Sequence, residues 1–164
     1  MSKRDDFCNV VNDIWLHHAI YLWGGNGELV EKNSKLIFKN ETSPANIARV
    51  LRTIALYYDR GYDMSMAQMV DCSGLIVSAL RKLGIISSVD DFRAKDLQNM
   101  STAVKLIDLN PGDLVFNKIK DCSHVGVYIG YDMVVEAQGR DFGVVKRQLD
   151  EGPWVIGGRL KYFE

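Results

Sequence analysis

The chain has 164 residues, of which 47% are hydrophobic and 25% are charged, and this composition is typical of a single globular domain with a real core. Its net charge of −1 argues against nucleic acid as the main partner, because a nucleic-acid-binding face is strongly basic. Three cysteines without a CxxC pair and three dispersed histidines predict neither a disulfide framework nor a metal site, and nothing indicates a cofactor.

An amphipathic helix is predicted near the N-terminus, from about Asp5 to Tyr21. Its inward face carries Phe7, Val10, Val11, Ile14, Trp15 and His18. The segment runs into the glycine-rich turn Trp23-Gly24-Gly25-Asn26-Gly27. This turn lacks the lysine, the preceding strand and the following helix of a phosphate-binding loop, so we assign it no role in nucleotide binding.

Residues 28–69 give weaker signals than the rest of the chain. The apolar run Leu36-Ile37-Phe38 is bounded by polar residues and is interpreted as strand-like. Ser43 and Pro44 are typical of an N-cap and a first helical position, so a helix is predicted to begin there. The apolar face of that helix carries Ile47, Val50, Leu51, Ile54 and Tyr58.

The chemistry of the chain is predicted to centre on Cys72. Helical spacing of apolar residues begins just after it, and Gly84 indicates the end of the helix. The thiol therefore lies in the first turn, where free N–H groups and the positive end of the helix dipole favour a thiolate. Cys122 has similar neighbours but precedes a strand, so it lacks this activation.

After a short helix at about 90–100, the remainder of the chain is strand-like. The predicted strands cover residues 113–116, 124–129, 133–137, 143–147 and 154–160. Helices followed by consecutive short strands indicate an α+β domain, in which about five antiparallel strands curl against the N-terminal helices.

The hairpin that follows Ser123 brings polar residues together. If its loop is the three residues 130–132, one face of the hairpin is apolar and packs on the core. His124, Glu136 and Gln138 then share the opposite face, with Gly126 leaving room between them. A base with two hydrogen-bond partners, facing a cysteine at a helix N-terminus, is typical of papain-type nucleophilic catalysis.

At these residues the chain resembles the NlpC family of bacterial cell-wall cysteine peptidases, which have a papain-like fold. Four segments carry the resemblance in the order of the family and span about residues 8–160. They are Tyr21-Leu22-Trp23-Gly24-Gly25, Asp71-Cys72-Ser73-Gly74-Leu75, Pro111-Gly112-Asp113-Leu114-Val115-Phe116 and His124-Val125-Gly126-Val127-Tyr128-Ile129-Gly130. The resemblance implies hydrolysis of peptidoglycan stem peptides or muropeptides, at the bond between D-γ-glutamyl and a diamino acid.

The resemblance also implies roles for single residues. Cys72 becomes the nucleophile and His124 the general base and later acid. The third polar position of the family falls on Glu136, where His, Asn or Gln is usual, and Gln138 is the rival for this role. A carboxylate in that position would favour the charged imidazole.

Three further residues match family positions that bind substrate. Tyr21 is implied near the nucleophile, in substrate or oxyanion binding. Asp71 and Ser73 are implied to hold the substrate, Asp71 through a substrate amine. The backbone N–H of Cys72 would contribute to the oxyanion hole.

The spacing of the motifs departs from the family. Typical members have only several residues between the Trp-Gly-Gly turn and the cysteine motif, whereas about 45 intervene here. We therefore expect one domain over residues 1–164, with an insertion at about 26–70 beside the cleft. This insertion should control which substrates enter.

Two other functions compete with the peptidase. One is a CHAP-type amidase or acyl transferase, and the other is a non-catalytic phage-tail or secretion-device module that keeps the fold. The N-terminus does not resemble a secretory signal, and no stretch resembles a membrane span. We therefore expect synthesis in the cytoplasm, followed by recycling work there or by delivery to the wall through a phage particle or another apparatus.

Overall fold

A computed structural model describes all residues 1–164. The helices are α1 (Lys3–Leu16), α2 (Lys35–Asn40), α3 (Pro44–Asp59), α4 (Cys72–Lys82) and α5 (Ala94–Asn99). The strands are β1 (Ile20–Tyr21), β2 (Asn26–Leu29), β3 (Gln68–Val70), β4 (Ser101–Val104), β5 (Leu114–Phe116), β6 (Val125–Gly130), β7 (Met133–Gly139), β8 (Gly143–Gln148) and β9 (Ile156–Leu160). No helix combines the length and the apolar content that crossing a bilayer would need.

The strands form two sheets. The larger has six antiparallel strands in the order β4-β9-β5-β6-β7-β8, and the smaller has the order β1-β3-β2 with β1 parallel to β3. The predicted α+β class is confirmed, but the predicted count of about five strands is too low. The missed strand of the larger sheet, β4, has only four residues and is defined by its pairing with β9 rather than by an apolar pattern.

The main core lies between α1, α4 and the larger sheet. Helix α4 begins at Cys72, as predicted, because the Asp71 side chain caps it by accepting a hydrogen bond from the Gly74 N–H at 2.7 Å. Its residues from Ser73 to Leu80 are all buried, so the helix runs through the middle of the molecule. The depth of α4 fixes the position of its N-terminus against the sheet.

Helix α1 is shorter than predicted, since it ends at Leu16 instead of about Tyr21. His18 adopts a left-handed backbone with φ of 62°, which turns the chain. Ile20 and Tyr21 then pair with β3. Ala19 and Ile20, which follow this turn, are both buried, and Ile20 is the first residue of β1.

A second, smaller core joins residues 26–70 to β1 and β3. Its buried members are Ile20, Leu22, Val30, Ile37, Val50, Met64, Ala67 and Met69. Ile20, Leu22 and Met69 face this core, whereas Val70 belongs to the main core, so β1 and β3 form a wall between the two.

Two predictions for residues 26–70 were wrong. The run Leu36–Phe38 is helical and lies within α2, whose end is marked by the Glu41 N–H donating to the Ile37 carbonyl, with Ile37 buried and Phe38 exposed. On α3, Val50 is buried as predicted, but Leu51 and Tyr58 are exposed. The predicted short helix at 90–100 is also reduced to α5.

A buried carboxylate ties the chain ends to the larger sheet. Asp113 is fully buried and accepts two hydrogen bonds from Arg159, at 2.9 and 2.8 Å, and one from Arg4 at 2.9 Å. Burial alone would raise the pKa of Asp113, but hydrogen bonds from Arg159, the Asn110 backbone and Arg4 outweigh burial and lower it. This network lies outside the cleft described below.

Candidate active site

The thiol of Cys72 lies in an open cleft of about 620 Å³ at the N-terminus of α4. A first helical residue has no intrahelical acceptor for its N–H group, so this N–H of Cys72 is available to a ligand. The thiol is half-buried, and its Sγ lies 4.0 Å from the carbonyl oxygen of Ser123. The nucleophile candidate therefore faces the chain segment that leads into β6.

The cysteine motif and the Trp-Gly-Gly turn are hydrogen-bonded to each other at the floor of the cleft. Asp71 accepts a hydrogen bond from the Gly24 N–H at 3.0 Å and donates its own N–H to the Gly25 carbonyl at 3.1 Å. A Cβ on Gly74 would lie 1.8 Å from that carbonyl oxygen, so only glycine permits this approach. Two motifs 47 residues apart are thus one structural unit.

The Asp71 carboxylate is occupied by the protein itself. One oxygen accepts from Gly74 and from the Ser73 hydroxyl, and the other accepts from Gly24. Burial raises the pKa of Asp71, and these hydrogen bonds oppose the rise. Both Asp71 and Ser73 line the cleft, so their predicted substrate contacts stay predictions beside a clear structural role.

His124 is the residue immediately before β6, and it lines the cleft together with Cys72. The side-chain oxygen of Asn117 accepts the backbone N–H groups of Ser123 and His124, at 3.1 and 3.0 Å, which fixes the turn that carries the ring. The ring Nε2 lies 2.9 Å from Oε1 of Glu136. With Nε2 engaged by Glu136, Nδ1 is the ring nitrogen that remains for Cys72 across the cleft.

The charged form of this imidazole is favoured. Burial by itself lowers the pKa of His124, but hydrogen bonds with Cys72 and Glu136 outweigh burial and raise it to about 9. A protonated imidazole beside a thiol is the arrangement that stabilises a thiolate near neutral pH. The pair can therefore act as nucleophile and proton donor.

Glu136 is completely buried beneath His124, and a second partner holds it there. Arg147 donates from Nε to Oε2 at 2.9 Å and from Nη2 to Oε1 at 3.0 Å. Burial raises the pKa of Glu136, but its hydrogen bonds to His124 and Arg147 lower it overall. Sequence reasoning missed Arg147, although its alternation on β8 places it on the same sheet face.

Trp154 stacks on the imidazole from the loop before β9. The two rings are 13° from parallel with centroids 5.2 Å apart, and Trp154 is only 7% exposed. A Cβ on Gly126 would lie 3.0 Å from two carbons of the indole, so the room that Gly126 leaves is filled by Trp154. The indole shields the ring from water on that side.

The hairpin pairs largely as predicted. Val127 lies opposite Val135, and Tyr128 lies opposite Val134. The predicted three-residue loop is wrong, because a bulge at Ile129 leaves only residues 131 and 132 between the strands. Gln138 lines the cleft without a hydrogen bond to His124, so the histidine contact belongs to Glu136.

Tyr21 enters the cleft from the end of β1. Burial, followed by the nearby Cys72 and Asp71, raises the pKa of its hydroxyl to about 12, so the phenol stays protonated. The guanidinium of Arg140 lies over its ring, 5.3 Å from the centroid. Tyr21 is thus a neutral hydrogen-bond donor close to the thiol.

Residues 26–70 supply one wall of the cleft through contacts with the turn at 139–142. Thr53 donates to the Arg140 carbonyl at 2.6 Å, and buried Glu41 binds the Arg140 guanidinium at 2.9 Å. Arg49 lines the cleft and pairs with Asp141 through two hydrogen bonds of 2.9 and 3.0 Å. These contacts attach residues 26–70 to the turn that follows β7, the strand that carries Glu136.

The cleft has a basic rim. Arg49 and Arg140 lie on the side of residues 26–70, and Arg93 and Lys95 lie at the start of α5. Asp71 is the one carboxylate among the lining residues. No cluster of three or more His, Cys, Asp or Glu side chains that could hold a metal ion occurs in the structure. Each of the rim cations is paired with a carboxylate that does not line the cleft: Arg49 with Asp141, Arg140 with Glu41, Arg93 with Asp96 and Lys95 with Asp121.

The sequence of this chain matches a family model described as the NlpC/P60 family over residues 58–156, more than half of its length. That range contains Cys72, His124 and Glu136. A search of the curated proteins by sequence gives no significant match.

Solved structures share the fold at low sequence identity. The P60 domain of an antigen from M. avium subspecies paratuberculosis aligns with a TM-score of 0.63 at 19% identity, covering 98% of this chain and 97% of that one. The peptidoglycan hydrolase RipB from Mycobacterium tuberculosis aligns at 0.59 and 18%, covering 100% and 69%. NlpC2 from Trichomonas vaginalis aligns at 0.61 and 17%, covering 100% of this chain and 49% of that one. The chain thus spans nearly all of the first domain and about half of the third protein.

Proposed function

Because the chain belongs to the NlpC/P60 family, we propose that it is a cysteine endopeptidase of peptidoglycan stem peptides. The observation that carries the proposal is the assembled set of Cys72, His124 and Glu136, with the His124 Nε2 to Glu136 Oε1 distance at 2.9 Å. A non-catalytic module would have no use for a buried carboxylate that orients an imidazole toward a thiol. The complete set therefore supports catalysis.

In the proposed acylation step, the Cys72 thiolate attacks the carbonyl carbon of the scissile amide. The resulting oxyanion lies at the free N–H of Cys72, where the positive end of the α4 dipole stabilises it. His124 then gives its Nδ1 proton to the amine nitrogen, the C–N bond breaks, and the amine leaves. A thioester remains on Cys72.

In the proposed deacylation step, water attacks the thioester carbonyl. His124, now neutral, takes a proton from that water, and the thiolate leaves as the acid product forms. Glu136 holds the ring so that Nδ1 faces the sulfur in both steps. The same groups thus serve both halves of the reaction.

The substrate proposed is a stem peptide cleaved between D-γ-glutamyl and a diamino acid. Such peptides carry free carboxylates, and their binding is supported by a cleft lining with four cations and one carboxylate, although each cation also has a carboxylate partner within the protein. The peptidoglycan hydrolase RipB shares the fold, which is compatible with this substrate class.

The function is tested by incubating purified muropeptides with the protein and analysing the products by mass spectrometry. We expect cleavage at the D-γ-glutamyl bond, and none with protein whose thiols have been alkylated beforehand. Release of the whole stem peptide from the sugar would instead indicate an amidase. No product from any muropeptide would remove the catalytic proposal.

Glu136 is expected to matter more than its rival Gln138. Replacing Glu136 by Ala frees the ring of His124, and we expect kcat/KM to fall by about 10²-fold. Gln138→Ala should stay within about threefold of wild type, because Gln138 makes no hydrogen bond to His124. Steady-state kinetics of the two variants side by side decide the assignment, and a larger loss in Gln138→Ala would reverse it.

The wall built by residues 26–70 is proposed to select anionic substrates through Arg49. Arg49→Ala should raise KM for stem peptides about fivefold and leave kcat unchanged, since it removes a cation from the rim and no reacting group. Arg52→Ala is the matched control, because Arg52 lies exposed on the same helix without lining the cleft. Amidating the carboxylates of the substrate should abolish the difference between Arg49→Ala and wild type, and a difference that persists would argue against charge recognition.

A further inference from the structure

Arg147 is a charged residue that contacts Glu136 of the proposed catalytic set without lining the cleft. It lies on β8, where Arg147 pairs with Val134 and Val145 pairs with Glu136. Arg147 and Glu136 are therefore diagonal neighbours on one face of the sheet, close enough for long side chains to meet. The guanidinium is held from its other side by the Glu151 carbonyl, which accepts from Nη1 at 3.1 Å.

We propose that Arg147 is a positioning residue that keeps Glu136 ionised and aimed at His124, and thereby sets the basicity of the imidazole. This role affects catalysis only through the proposed function of the site. It follows from the two parallel hydrogen bonds that Arg147 donates to a carboxylate with no solvent exposure.

The electrostatic reason is the cost of a buried charge. A carboxylate that faces only an imidazole in an apolar site can accept the proton of that imidazole, which leaves two neutral groups. A guanidinium cannot lose its proton in a protein, so its charge keeps the negative charge on Glu136. The proton therefore stays on His124, where it can stabilise the thiolate and later reach the leaving amine.

The charged groups around the pair define the sign of the effect. The groups that act on His124 are Cys72 from α4 and Glu136 from β7. Glu136 is acted on by His124 and Arg147. Arg147 is acted on by Glu136 and Glu151. Removing the positive charge of Arg147 leaves a net negative charge when the His124–Glu136 pair loses its last proton. The pH at which that proton leaves must therefore rise.

The test is the titration of His124 by NMR, which requires no substrate. In Arg147→Met the midpoint at which the pair loses its last proton should lie about half a pH unit or more above that of wild type, and below that midpoint His124 should show a mixture of neutral and charged imidazole, because Glu136 now shares the proton. When Glu136→Gln is already present, adding Arg147→Met should change the His124 midpoint much less, because the carboxylate transmits the effect. A midpoint in Arg147→Met equal to wild type would overturn the proposal.

Arg159→Met is the matched control. Arg159 makes the same two-pronged contact with fully buried Asp113, at 2.9 and 2.8 Å, and has a similar side-chain exposure of 28% against 22%. It should lower stability without moving the His124 midpoint. A shift in Arg159→Met as large as that in Arg147→Met would mean that a general loosening of the fold is responsible.

A second variant covers a failure of Arg147→Met to fold. Arg147→Lys keeps the charge but loses the planar fork, so the His124 midpoint should stay near that of wild type. The rate at which iodoacetamide alkylates Cys72 at pH 6 should fall about fivefold, since a less well aimed imidazolium stabilises less thiolate. An unchanged alkylation rate would overturn the positioning role, and this readout is independent of whether any muropeptide is cleaved.

Discussion

Replacing Cys72 by Ala should lower the hydrolysis of stem peptides by about 10⁴-fold or more, because the nucleophile is removed and no neighbouring group can form the thioester. The fold should survive, since only one half-buried sulfur is lost and the start of α4, where it lies, is fixed by the Asp71 cap. Muropeptide kinetics together with a melting curve check both parts, and the melting temperature should change by no more than about 3 °C.

The other two cysteines are the controls for this experiment. Burial raises the pKa of both Cys8 and Cys122 to about 11, which keeps them as thiols at neutral pH. Cys8→Ala and Cys122→Ala should therefore retain activity. Wild-type turnover in Cys72→Ala would refute the assignment and make Cys122, which also lines the cleft, the next candidate.

Replacing His124 by Ala should lower kcat/KM by about 10³-fold or more, through loss of the proton donor and of thiolate stabilisation. The wild-type pH profile should reflect the same group. Because the pKa of His124 is raised to about 9, the imidazolium persists below that pH, and activity should decline as pH rises through it. An alkaline limb near the ordinary histidine value of about 6.5 would contradict the ion-pair interpretation.

His17→Ala is the control for the His124 variant. His17 caps the end of α1 on the surface, half-exposed beside Asp13, and has no contact with the cleft. Its replacement should leave both the rate and the pH profile unchanged. Loss of activity in both variants would indicate an effect of histidine removal on folding.

The contacts of the candidate site could be predicted from the sequence where local patterns determine geometry. The alternation along β6 and β7 placed His124 and Glu136 on one face, and the spacing after Cys72 placed the thiol at a helix start. Both inferences need only the periods of strands and helices. The sequence therefore contained the pairing that the cleft requires.

The missed features depend on contacts between distant segments. Arg147 belongs to the site through a strand pairing that no local pattern specifies, and Trp154 reaches His124 from a loop. Helix α1 ends early because Ile20 joins a parallel partner nearly 50 residues later, at Met69. Tertiary pairing overrides a local periodicity only in α1, whereas Arg147 and Trp154 reach the site through contacts that no local periodicity encodes.

The position of β1 and β3 as a wall between the two cores affects how the protein responds to heat and denaturants. Tyr21 and Val70 close the strands of that wall, and the Trp-Gly-Gly turn and the cysteine motif follow directly after them. Cooperative units of a protein can open independently of one another. Cys72 begins α4 in the main core, whereas the Trp-Gly-Gly turn that contacts its motif adjoins the smaller core. Opening of the smaller core alone should therefore disturb the cleft while the larger sheet persists.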